Sequence, residues 1–131
     1  MESKKVLVVD DEIHIIHVVA IKLRANGFEV VTASNGAEAY ALACSEKPDI
    51  VVTDLQMPVM DGLELVGKLR EDDRTESIPV IMLTGRNFSI ENEKKERLRI
   101  SECLGKPFSP KELMSKIVDI LSEHTVSAAV Q

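Results

Sequence analysis

A chain of 131 residues, 44% hydrophobic and 29% charged, has the size and composition of one globular domain able to bury a core. Its net charge of −6 argues against a nucleic-acid surface, whose footprint is a clustered basic face. No apolar run approaches the ~20 residues of a membrane helix, and MESKKVLVVDDE has too short an apolar stretch for a signal-peptide core.

The first strand is predicted at Val6–Val9 (VLVV), closed by Asp10-Asp11. A helix follows over Glu12–Ala25, with Gly27 as its stop. A second strand, Val30–Ala33, leads into a helix over Ala37–Ser45. The third strand, Ile50–Thr53 (IVVT), halts at the carboxylate of Asp54, ahead of a Met-Pro pair and an Asp-Gly turn. After a helix over Leu63–Leu69 comes the fourth strand, Val80–Thr84 (VIMLT). The next helix, near Ile90–Leu98, is mostly charged, with only Ile90, Leu98 and Ile100 to bury. A weaker strand at Cys103–Leu104 precedes Gly105-Lys106-Pro107, and Ser109 caps a last helix over Pro110–Glu123.

The first, third and fourth strands are nearly all apolar, as parallel strands covered on both faces should be. Strands alternating with helices at this spacing predict an α/β fold, a doubly wound sheet of five parallel strands. One domain is expected over residues 1–123, with 124–131 as a disordered tail. Cys44 and Cys103 lack metal-ligand spacing, so free thiols in the cytoplasm are expected.

In a parallel sheet all C-terminal strand ends share one edge, where such folds bind ligands. Here that edge receives Asp10, Asp11 and Asp54, the hydroxyl of Thr84 and the ammonium of Lys106. Two carboxylates ~5 Å apart at an effective dielectric of ~20 repel by about 3 kcal/mol. Three therefore call for a cation, and oxygen ligands with room for water suit Mg²⁺. With Thr84 and Lys106 opposite, the same arrangement can hold a phosphoryl group while Asp54 attacks phosphorus.

VLVVDDE, TDLQMPVMDG, VIMLTG and LGKPF, in this order and spacing, resemble the receiver (CheY-like) domain of two-component response regulators. The resemblance runs from about Lys4 to Glu123. It implies strand order 2-1-3-4-5 in a flavodoxin-like three-layer sandwich. It also implies Asp54 as phospho-acceptor, with Asp10, Asp11, Asp54 itself and the backbone carbonyl of Gln56 holding Mg²⁺, or Mn²⁺ in its place. Thr84 falls on the switch hydroxyl, Lys106 on the phosphate-binding lysine, and the Lys106–Pro107 bond is expected to be cis. The implied donor is a phosphohistidine on a histidine kinase or histidine phosphotransfer protein. Phosphorylation would repack the fourth helix, fifth strand and fifth helix for a downstream protein partner. The chain would then be a phosphorelay switch that hydrolyses its own acyl phosphate, with no turnover of an external substrate and no nucleic-acid or membrane contact of its own.

Some residues depart from the family pattern. Cys103 stands where receivers usually carry an aromatic switch residue, Leu98-Arg99-Ile100 replaces a small-residue turn, and Gly85 replaces a common alanine. Gln56 and Arg86 flank the expected route of the hydrolytic water. On the first helix Ile15, Val19 and Leu23 fit one buried face, leaving Ile13, Ile16, Ala20 and Ile21 for a broad stripe or a docking patch. His14 and His17 share a helix face without further metal ligands and are expected at the surface. Three rivals remain: a receiver-shaped interaction module that is never phosphorylated, an Asp-nucleophile phosphatase, and a flavin carrier. Gln56 takes the position of the phosphatase's second Asp, and Asp10-Asp11-Glu12 would repel a flavin phosphate.

Overall fold

The structure is a computed structural model that describes residues 3–85 and 90–130, with side chains through residue 123. Five strands, β1 (Lys5–Val9), β2 (Glu29–Ala33), β3 (Ile50–Asp54), β4 (Val80–Thr84) and β5 (Glu102–Gly105), form one parallel sheet in the order β2-β1-β3-β4-β5. Between and after them run α1 (Ile13–Ala25), α2 (Gly36–Glu46), α3 (Gly62–Glu71), α4 (Asn92–Leu98) and α5 (Pro110–Val130). The predicted class, strand order and element sequence are all present. The last helix runs longer than expected: α5 continues through Val130, so its backbone is helical over most of the stretch expected as a disordered tail at 124–131.

The period-two alternation of the strands divides the core into two halves. Val6 and Val8 of β1 face α1 and α5, packing with Val19, Leu23, Leu113 and Ile117. Leu7 and Val9 face the opposite layer, with Ala39 and Ala43 of α2 and Leu65, Val66 and Leu69 of α3. Every residue of β3 and β4 is buried, which is why these runs carry no polar alternation.

Gly27 and Ser109 punctuate the chain as expected, and Asn35 and Asp61 add two caps beyond those expected. Gly27 has φ 90, and the N–H groups of Gly27 and Phe28 return to carbonyls of α1's last turn. Asn35 and Asp61 cap α2 and α3 by accepting from the N–H groups of Glu38 at 2.8 Å and Glu64 at 2.9 Å. Ser109 accepts from Glu112 N–H at 3.0 Å.

Two expectations need correcting. On α1 the buried residues are Ile16, Val19, Ala20 and Leu23, whereas Ile15 is half-buried. The helix presents a broad stripe to the sheet, so Ile16 belongs to the core; Ile13, Val18 and Ile21 are the exposed apolar residues. The fourth helix begins at Asn92, because Ile90 is drawn into the core ahead of it.

One side-chain brace lies far from the strand ends. Asp72, which closes α3, accepts from Tyr40 of α2 at 2.7 Å and pairs with Arg74 at 2.8 Å, with the Cys44 sulfur 3.6 Å away. The Arg74 bonds, then that of Tyr40, hold the Asp72 carboxyl well below the usual range. In return Asp72 pushes the Tyr40 phenol up to about 12.

Candidate phosphoryl and metal site

Four of the five strand ends supply a part of the site. β1 ends at Val9, and the next residue, Asp10, has no exposed surface; its N–H donates to Ala33 of β2. β3 ends in Asp54 itself, 6% exposed. β4 ends in Thr84, also buried, one step beyond the Asp54–Leu83 pairing and opposite Gly105. Lys106 follows Gly105, its N–H bonded to the Thr84 carbonyl at 2.7 Å, and the Lys106–Pro107 bond is cis.

The carboxylates that follow β1 and end β3 converge on the Lys106 ammonium. It donates to Asp10 Oδ2 at 2.9 Å, lies 3.2 Å from Asp54 Oδ1, and reaches Glu12 Oε1 at 3.6 Å. Glu12 was not among the residues expected at the site. Its signal was present in the Asp-Asp-Glu run, whose three carboxylates offer oxygens within 4.8 Å of one another. Asp11 and Glu12 are exposed at the rim, and the Glu12 N–H donates to Asp10 Oδ1 at 2.9 Å. Gln56 is exposed in the loop after β3; Arg86 lies outside the described residues.

Local packing fixes the acceptor loop. A Cβ on Gly62 would meet the Asp54 carbonyl oxygen at 2.5 Å and Met82 Sδ at 2.7 Å, so only glycine lets α3 start this close to β3. The Gly62 N–H donates to Leu55 at 2.8 Å. Val59, in the same loop, holds φ 71 and is 95% exposed, a strained conformation for a β-branched residue.

Electrostatics mark Asp54 as unusual. Burial first, and then the Asp10 charge, push its carboxyl up to about 6, against the pull of Lys106. Burial alone would lower the Lys106 ammonium, but its bonds and charges to Asp10 and Asp54 hold it above its ordinary value. Three carboxylates, those of Asp10, Glu12 and Asp54, thus face one ammonium among the described residues, with Asp11 beside them at the rim. An all-oxygen donor set with excess negative charge fits a hard divalent cation such as Mg²⁺. Chemically, the site can neutralise a phosphoryl group while presenting a carboxylate to it.

The remaining candidates lie apart. His14 and His17 are exposed on α1, as expected, and His14 Nε2 lies 3.4 Å from Glu12. Cys103 is half-buried, and burial pushes its thiol up, as for a small apolar substitute.

A family model described as "Response regulator receiver domain" matches residues 6–118. The alkaline phosphatase synthesis transcriptional regulatory protein PhoP of Bacillus subtilis is 36% identical over 126 residues, covering 96% of this chain and 52% of that protein. The phosphate regulon transcriptional regulatory protein PhoB of Pseudomonas aeruginosa is 36% identical over 123 residues, covering 92% and 53%. The chain therefore spans about half the length of these curated relatives. Among solved structures, the chemotaxis response regulator CheY4 of Vibrio cholerae superposes with a TM-score of 0.83 at 34% identity, covering 91% of this chain and 99% of that one.

Proposed function

The chain belongs to the response regulator receiver domain family of two-component systems, and from that membership we propose that Asp54 is its phospho-acceptor. The observation that carries this reading is the ammonium of Lys106 held at once by Asp10 and Asp54 at the sheet edge.

An Asp54 oxygen attacks phosphorus of a phosphohistidine, the N–P bond breaks, and the imidazole leaves as the acyl phosphate forms. Asp54 reacts as the anion, so a carboxyl near 6 is ready at neutral pH. Lys106 moves its hydrogen bonds from the carboxylates to a phosphoryl oxygen, and Thr84 donates its hydroxyl to another. Mg²⁺, when bound by Asp10, Asp11, Asp54 and the Gln56 carbonyl, supplies charge neutralisation to the phosphoryl oxygens. Attack of water on phosphorus then returns Asp54 and inorganic phosphate. Gln56 and Arg86 set how long the acyl phosphate lasts; unchanged hydrolysis in Gln56→Ala and Arg86→Ala proteins would exclude that part.

The donor in this reading is a histidine kinase or histidine phosphotransfer protein, and the readout is a downstream protein bound to the α4-β5-α5 surface. We take residues 1–123 as the receiver and 124–131 as a tail, acting in the cytoplasm without turnover of an external substrate. No helix among the described residues is long and apolar enough to cross a membrane. Treatment with phosphoramidate or acetyl phosphate and Mg²⁺, followed by intact mass, tests the reading. One added phosphoryl group, absent in Asp54→Asn, is expected; a modification that persists in Asp54→Asn overturns it.

A further inference from the structure

α4 (Asn92–Leu98) is held differently at its two ends. None of its seven residues is buried, and Glu91 at its N-cap makes no side-chain capping bond. So short a helix has little stability of its own. At its start the apolar hold among the described residues is Ile90, buried ahead of the first turn. This is also the end joined through the chain to Thr84 and Gly85.

At the other end the guanidinium of Arg70, from the last turn of α3, grips the backbone. Its Nε donates to the Leu98 carbonyl at 2.8 Å and an Nη to that of Arg99 at 3.3 Å. Its other Nη donates to the carbonyls of Glu76 at 2.9 Å and Ile78 at 2.7 Å, just before β4. Arg99 closes α4 in the left-handed conformation, φ 54, and its own guanidinium donates to Glu76 at 2.9 Å. A helix leaves its last carbonyls unpaired and its C-terminal end negative, so a cation there both satisfies and neutralises them. In α4 that cap arrives from another helix, 28 residues away. Burial first, and then the Arg99 charge, bring the Arg70 guanidinium down to about 10, and it remains charged at neutral pH.

Directional, charge-assisted bonds therefore fix the C-terminal end of α4, while the end facing the strand tips has Ile90 as its buried apolar contact among the described residues. We infer that Arg70 is the pivot of α4, a positioning residue that confines its motion to a swing of the N-terminal end about the Leu98–Arg99 carbonyls. The anchor stands on geometry alone; the swing as a response to Asp54 chemistry rests on the function proposed above.

Hydrogen exchange followed by NMR on the full chain tests the anchor in the free protein. The Arg70 Nε–H should be protected, and Arg70→Gln should speed exchange of the Lys95–Ile100 amides by about tenfold or more, the loss expected for a charged hydrogen bond. Amides of β1 and β3 should keep their protection. Should Arg70→Gln unfold, Arg70→Lys, which keeps the charge but lacks the planar fork, gives the same measurement with a smaller expected change. Unaltered exchange in α4, or loss of protection in β1 and β3 in step with α4, overturns the pivot.

With Mg²⁺ and beryllofluoride added, amide shifts should be larger at Ile90–Lys94 than at Leu98–Ile100, and the Arg70 Nε–H should stay protected. The reverse pattern overturns the pivot. An unchanged spectrum throughout counts against Asp54 as acceptor, and the exchange in the free protein then decides the pivot on its own.

Discussion

The Lys106 ammonium lies 2.9 Å from Oδ2 of Asp10, a carboxylate with no exposed surface. A buried charge left without its partner is costly, so Lys106→Met should lower stability in EDTA by about 1–3 kcal/mol. Added Mg²⁺ should return part of that loss by supplying positive charge to the same oxygens. Phosphorylation by phosphoramidate should fall about 100-fold or more, the usual scale for removing one group that stabilises developing charge. Urea unfolding with and without Mg²⁺, and rates by intact mass, check both. A variant with unchanged stability and rate would remove Lys106 from the site.

Acidity gives a second prediction, for metal-free protein. Asp54 titrates at about 6 when folded, against an ordinary carboxyl value of about 3.9 in the unfolded chain. The folded state therefore binds this proton more tightly. That contribution is fully present below the unfolded value and is lost as pH rises through about 6. Asp54→Asn stays neutral throughout, so in EDTA it should be more stable than wild type at about pH 7.5, with the difference closing towards about pH 4. Urea midpoints of the two proteins across this range measure it, and a gap independent of pH would show that Asp54 does not titrate as stated.

The first helix separates packing from recognition. Ile16 is 8% exposed and Ile21 67% exposed. Ile16→Ala should cost about 2–4 kcal/mol by leaving a cavity. Ile21→Ala should stay within about 0.5 kcal/mol. If the exposed stripe docks a phosphohistidine protein, Ile13→Glu and Ile21→Glu should slow transfer from that protein without changing the rate with phosphoramidate. Equal slowing with both donors would place the defect in the site instead.

Val59 combines a left-handed backbone with full exposure. Its side chain makes little packing contact to lose, and the αL region disfavours any Cβ, a β-branched one most. Val59→Gly should stabilise the domain by about 1 kcal/mol, after allowing for the looser unfolded chain. A lower urea midpoint for this variant would mean that the valine makes a contact that outweighs its strain.

Much of this molecule was readable in its order of residues. The all-apolar runs at β1, β3 and β4 announce strands buried on both faces, and a carboxylate at the end of such a run has to meet the crevice. That logic locates Asp10, Asp54, Thr84 and Lys106 on one edge. It is less sharp on α1, where an amphipathic stripe has no clear border: of the two readings left open there, the structure bears out the broad stripe, with Ile16 and Ala20 covered as well as Val19 and Leu23. It also passes over Arg70, whose partners are backbone carbonyls. A carbonyl leaves no mark on residue identity, so no spacing of side chains points to that arginine. Glu12 was legible as charge, but its turn toward Lys106 depends on the path of the chain after Asp10.

The tie between Tyr40, Asp72 and Arg74 has a counterpart in what α4 lacks. Cross-linked by a shared carboxylate, α2 and the end of α3 form the stiffer shoulder of the domain, while α4, with no buried residue of its own, is held beside it by Arg70 and by apolar contacts at its two ends. A mechanical load applied evenly to the strand tips would not spread evenly: it would bend the compliant shoulder and spare the rigid one. The direction in which this domain can deform is thus set by where its side chains are knotted together, before any phosphoryl group arrives.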